Sequence, residues 1–93
     1  MARMILETEE LDKELLDGFL ARFEKNSFRS DRTDFEQMDS EVYIQYSFEQ
    51  RTDLETWTGK IEVEVYENNF QARGDEFLME KYFNSYELTE PEL

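Results

Sequence analysis

The chain holds no cysteine, no histidine, one proline and three glycines in its 93 residues. Without cysteine there is no disulfide framework, no thiolate nucleophile and no cysteine-ligated zinc, a composition that fits a reducing compartment. Without histidine the commonest general base, the commonest metal ligand and the side chain that titrates near neutral pH are missing. No apolar run approaches the ~20 residues that cross a bilayer. The apolar opening Met1-Ala2-Arg3-Met4-Ile5-Leu6 meets acid at Glu7 and is too short for a secretory signal. Positive charge is scarce too: ten Lys and Arg stand against 24 Asp and Glu, a net charge of −14. An anionic membrane surface or a nucleic acid would repel such a chain, so neither is expected as a partner. The expected location is the cytoplasm.

Apolar side chains are nonetheless plentiful. Aromatics make up 15% of the residues, whereas acid-rich disordered tails lack the side chains needed to offset chain entropy. The expectation is one folded domain over residues 1–93, with 89–93 a frayed tail and a modest stability margin. Its field repels anions, draws in basic surfaces and speeds association at low salt.

Residues 8–25 carry the clearest pattern. Leu11, Leu15, Leu16, Phe19, Leu20 and Phe23 recur at helical spacing as one apolar stripe. Thr8 is placed to cap the start, Glu9 and Glu10 to fill the first turn, Arg22 and Lys25 the last, and Asn26 to end it. Gly18 costs such a helix about 1 kcal/mol against alanine and reads as a site of close packing. Residues 26–40 read as irregular, with Phe28 and Phe35 as anchors and a short helical turn near Thr33 or Asp34 as an option.

From Glu41 the period becomes two. Val42, Ile44, Tyr46 and Phe48 point one way, Glu41, Tyr43, Gln45, Ser47 and Glu49 the other. A turn at Thr52-Asp53-Leu54-Glu55 leads to a second alternating run. There Trp57 (a core anchor), Gly59, Ile61, Val63 and Val65 face inward, and Thr58, Lys60, Glu62, Glu64 and Tyr66 outward. Asn68-Asn69 suits a tight turn, and residues 70–73 a short third strand. Gly74 then breaks the pattern and Asp75 caps a second helix bearing Leu78, Met79, Tyr82, Phe83 and Tyr86. Arg73-Gly74-Asp75 spells an adhesion tripeptide, but in this setting reads as a turn and a cap. The predicted class is α+β: a small two-layer α-β-β-(β)-α domain, an antiparallel sheet with helices on one face.

The wet face of the hairpin is the first candidate surface. Glu62 and Glu64 lie two residues apart on one strand, about 6.7 Å between Cα atoms, with Glu41 and Glu49 on the neighbouring strand ~5 Å away. Asp53, Glu55 and Glu67 crowd its ends, and Tyr43 and Tyr66 supply contact area with a polar tip. Such an array of anions resembles a phosphate backbone and would meet lysines and arginines that neutralise phosphates. The competing reading is an ordinary solvated face, which wins for any single glutamate. A second acidic surface runs along the first helix through Glu10, Glu14 and Asp17, beside Glu7, Glu9 and Asp12. Only Lys13 offsets these acids, although like charges at i, i+4 weaken a helix. The basic stretch Arg22, Lys25, Arg29 and Arg32 serves to neutralise the acidic tail or the helix end, or pairs with acid on a second copy in a homodimer. No catalytic constellation, metal set or cofactor motif is present. The carboxylate pairs fall short of a glycosidase site, and no segment fits a calcium loop.

In size, lack of cysteine, acidity and helix-plus-hairpin layout the chain resembles phage-encoded acidic DNA-mimic inhibitors, the anti-CRISPR and anti-restriction proteins. The resemblance implies a non-enzymatic inhibitor in the host cytoplasm. Its acidic surface would occupy the nucleic-acid groove of a basic nuclease and compete with DNA for Lys and Arg. An immunity protein or antitoxin that neutralises a cationic nuclease toxin would use the same electrostatics and stands as the alternative.

Overall fold

The hairpin expected from the two alternating runs is the middle of a wider sheet. The computed structural model describes residues 3–34, 43–51, 58–84, 86, 88 and 89. In chain order the elements are β1 (Arg3–Glu7), α1 (Lys13–Asn26), β2 (Ser27–Asp34), β3 (Ile44–Arg51), β4 (Thr58–Val65), β5 (Phe70–Asp75) and α2 (Glu76–Tyr82). The strands form one antiparallel sheet in the order β1-β5-β4-β3-β2. After β1 the chain passes through α1 to the opposite edge at β2, and returns strand by strand until β5 lies beside β1. The class is α+β, as the sequence predicts, with two strands more than the predicted layout.

Register explains the core. Ile44, Tyr46 and Phe48 lie opposite Val65, Val63 and Ile61, which in turn face Phe70, Ala72 and Gly74. Leu6 pairs with Ala72 and Met4 with Gly74, extending the same face to β1. Onto it pack Leu16, Phe19 and Phe23 of α1 and Leu78, Met79, Tyr82 and Phe83 from α2 and its end. Phe23 has no exposed surface and meets Phe48, Tyr82 and Phe83 edge-on at 5.4, 4.9 and 5.8 Å between centroids. Such pairs each add roughly 0.5–1.5 kcal/mol beyond burial. The buried Gln50 ties the layers together. Its Nε2 donates to Phe23 O at 3.4 Å, and its Oε1 accepts from the Tyr82 hydroxyl at 2.7 Å.

Several expectations are corrected. Residues 3–7, to which the sequence assigned no element, form a strand, because Met4 and Leu6 complete the apolar face beside β5. Thr8 does not cap the helix: its hydroxyl accepts from Phe70 N at 3.1 Å, and Asn69 Nδ2 donates to Thr8 O at 3.1 Å, locking β1 to the start of β5. The cap is Asp12, whose Oδ1 accepts from Leu15 N at 3.1 Å. Residues 27–34, read as irregular with a helical turn near Thr33 or Asp34 only as an option, are the edge strand β2, and Phe28 is 52% exposed rather than an anchor. The paired backbone of β3 recruits this segment despite its polar sequence. Gly74 does not break β5: a Cβ there would lie 2.7 Å from Lys60 O, so glycine permits the close approach of β4. Asp75 sits at the N-cap of α2 without a capping bond, and its Oδ2 accepts from Lys60 N at 3.1 Å. Gly18 serves no close packing, since a Cβ there would meet nothing within 4 Å. Thr89 is not frayed but bridges Ile5, with N···O distances of 2.8 and 2.9 Å. Phe35, Val42, Trp57, the turn at 52–55 and residues 90–93 lie outside the described residues.

Candidate functional site

The sheet face turned away from the helices carries the hairpin acids and Lys60, as expected, but also Arg3 and Arg73, which the sequence did not place there. Glu62 lies beside Arg3 of β1 at 3.3 Å and Lys60 at 3.9 Å, with Gln45 Nε2 donating at 3.5 Å. Glu64 binds Arg73 of β5 at 2.8 Å. Both carboxylates are about one-fifth exposed, at 21% and 18% of the side chain. Glu49 is opposite Lys60 on one side and Arg29 on the other. The expected array of bare anions is therefore, over the described residues, a laced surface: Glu49 faces Lys60 and Arg29, Glu62 faces Arg73, and Glu64, opposed by Gln45 and Gln71, is reached diagonally by Arg73. Antiparallel register produces this directly, because opposed residues share a face.

The remaining hairpin candidates collect at one end. Tyr43, 45% exposed, donates its backbone N–H to Val65 O at 2.8 Å. The Tyr66 hydroxyl donates to Gln71 Oε1 at 3.4 Å, and Glu67 is exposed in the turn closed by Tyr66 N and Asn69 O. Glu41, Asp53 and Glu55 lie outside the described residues.

Charge without compensation sits in the other layer. Glu9, Glu10, Asp12, Glu14 and Asp17 are all exposed, and none has an ion pair among the described residues, whereas Glu7 ends β1 opposite Gln71 and, alternating with the buried Leu6, belongs to the outer sheet face. Glu10 precedes α1, while Glu14 and Asp17 project from it. The helix is held by Leu16, Phe19 and Phe23, so its acids are presented on an anchored scaffold. The sheet acids and the helix acids face opposite sides of the molecule and do not form one surface. The basic residues are likewise dispersed: Arg29 pairs with Asp31 at 3.4 Å and Arg32 with Asp34 at 2.7 Å along β2. Arg22 lies over the Tyr82 ring at 5.4 Å.

Beside the helix acids runs an open groove of ≈380 Å³ lined by Glu14, Leu15, Gly18, Phe19, Arg22, Tyr82, Asn84 and Tyr86. Sequence reasoning missed it, although an unexplained helix glycine between an acid and a base at i−4 and i+4 was its signal. Burial raises the Tyr82 phenol above its ordinary pKa, opposed by the Gln50 hydrogen bond and the nearby Arg22 charge. No group of three or more acidic side chains among the described residues is arranged to hold a metal ion, and no described helix is long and apolar enough to cross a membrane.

No protein-family model, curated protein or solved structure matches the chain.

Proposed function

We propose that this protein is a non-catalytic acidic inhibitor that occupies the phosphate-binding groove of a basic nucleic-acid-binding protein, with a nuclease as the target class. The interacting surface is the acidic ridge from Glu9 through Asp17, with the sheet face as a neutralised scaffold. One observation carries the reading: five exposed carboxylates in the nine residues from Glu9 to Asp17 lack ion pairs among the described residues, although the chain holds ten basic side chains. From Asp12 to Asp17 three acids stand against Lys13 over about 7.5 Å of helix. That is a net charge per ~3.8 Å, near the ~3.4 Å spacing of one nucleic-acid strand. A partner whose lysines and arginines are set for phosphates meets a comparable density here, on a support that requires no ordering upon binding.

The test is capture of basic proteins from a nuclease-containing lysate, followed by competition with duplex DNA. The expected result is a captured protein that DNA displaces, with binding that weakens steeply as salt is raised. Binding insensitive to both DNA and salt would refute the proposal. A captured nuclease toxin, in place of a defence nuclease, would favour the immunity-protein alternative.

A further inference from the structure

Resting on that reading, we infer that the groove beside α1 is a specific socket for one arginine side chain of the basic partner. Glu14, Gly18 and Arg22 fall at i, i+4 and i+8 and therefore line up along α1, roughly 6 Å apart. Phe19, Tyr82, Asn84 and Tyr86 complete the lining, with Phe19 against Tyr86 and Arg22 against Tyr82. One end is already filled by the protein's own cation, because the Arg22 guanidinium lies 5.4 Å from the Tyr82 ring centre. The other end holds the complementary pieces without a cation. Glu14 has no ion pair among the described residues, and Tyr86 is 38% exposed with no described cation over its ring. Phe19 and Phe83 fix the Tyr86 ring by edge contacts at 5.8 and 6.0 Å.

Between the two ends the helix carries glycine. A helix-interior glycine is costly relative to alanine, and here no packing explains it, since a Cβ would meet nothing within 4 Å. The space it leaves admits an incoming side chain against the helix backbone. A guanidinium entering over Gly18 pairs with Glu14 and stacks on Tyr86, repeating the arrangement of Arg22 on Tyr82. Its planar fork suits both contacts, whereas lysine offers a compact, more strongly hydrated charge.

The experiment is an NMR titration of the isotope-labelled protein at low salt. The probes are three capped tripeptides, Gly-X-Gly with arginine, lysine or the neutral isostere citrulline at the centre. The expected result is saturable shifts confined to residues 14–19 and Tyr86 for the arginine peptide. Affinity should be at least about threefold weaker for lysine, and the citrulline peptide should not bind. Gly18→Ala should weaken arginine binding about tenfold while the protein melts at a higher temperature, and Glu14→Gln should weaken it without altering the fold. Equal affinity for arginine and lysine, shifts spread from Glu9 to Asp17, or unchanged binding by Gly18→Ala would each overturn the socket. Salt-sensitive capture of a basic partner would survive that failure. Conversely, a socket that binds arginine while no basic partner is captured would refute the inhibitor reading alone.

Discussion

The three glycines give a test of the architecture in which two substitutions of identical chemistry carry opposite signs. At Gly18, on an exposed part of α1, alanine meets no atom within 4 Å. It gains helix propensity of about 1 kcal/mol, which for a domain of this size raises Tm by roughly 4–8 °C. At Gly74 the added methyl would sit 2.7 Å from Lys60 O and 3.2 Å from Ile61 Cα. Both are backbone atoms of β4, and β5 is pinned between β4 and β1, so the strand has no side to retreat to. Overpacking of this kind costs about 1–3 kcal/mol, a fall in Tm of at least roughly 4 °C by the same scaling. Gly59→Ala is intermediate, because its methyl would run into Leu78 Cδ1, the end of a side chain that is buried but able to rotate. Thermal melts followed by circular dichroism, with calorimetry to check two-state behaviour, read all three. A Gly74→Ala protein that melts with the wild type would refute the β1-β5-β4 pairing. A destabilised Gly18→Ala protein would refute the open groove.

Reversing Glu10, Glu14 and Asp17 to lysine should lower capture of the basic partner by more than about tenfold and leave stability in low salt equal or higher, since it relieves like-charge repulsion. Glu62→Lys with Glu64→Lys should instead cost about 1–2 kcal/mol of stability, read by urea titration, because the two partly covered carboxylates lose cationic partners. Equal loss of capture by both sets would return the interface to the sheet. Gln50→Ala should cost about 2–3 kcal/mol by leaving the buried Tyr82 hydroxyl without its acceptor, and a neutral result would remove Gln50 as the link between the layers. Because the Tyr82 phenol is raised in the folded state, its contribution is complete below the ordinary tyrosine pKa of about 10 and is lost as pH rises beyond it. Stability should therefore fall above that pH less steeply in Tyr82→Phe than in the wild type.

How much of this was legible depends on which residues had to be seen in pairs. The apolar stripe of α1 and the alternation of β3 and β4 are local periodicities, and all three elements are present. β1 could not be read because Met4-Ile5-Leu6 is short and apolar, and only its pairing with β5 makes it a strand. β2 could not be read because its faces are largely exposed, so no burial selected an apolar pattern in Ser27–Asp34. The site was affected in turn. Without β1 there was no Arg3 beside Glu62, and Arg73, which the register sets opposite Glu62, reaches Glu64 by a diagonal contact that alternation along one strand does not show. The acids of the helix layer were legible because their isolation is local: only Lys13 lies among them.

The distribution of charge is itself an argument about function. A chain at −14 reduces self-repulsion most by spreading its few cations among its acids. Here Arg3, Lys60 and Arg73 gather on the sheet face, where the carboxylates are partly covered and desolvation makes unpaired charge costly. The ridge from Glu9 to Asp17 receives one lysine and stays in water, where unpaired charge costs little to the fold but extends its field outward. Neutralising the scaffold and leaving the ridge bare gives the molecule a direction. On the proposed reading, a basic surface would be steered to α1 among the described elements, and the groove lies beside the same helix.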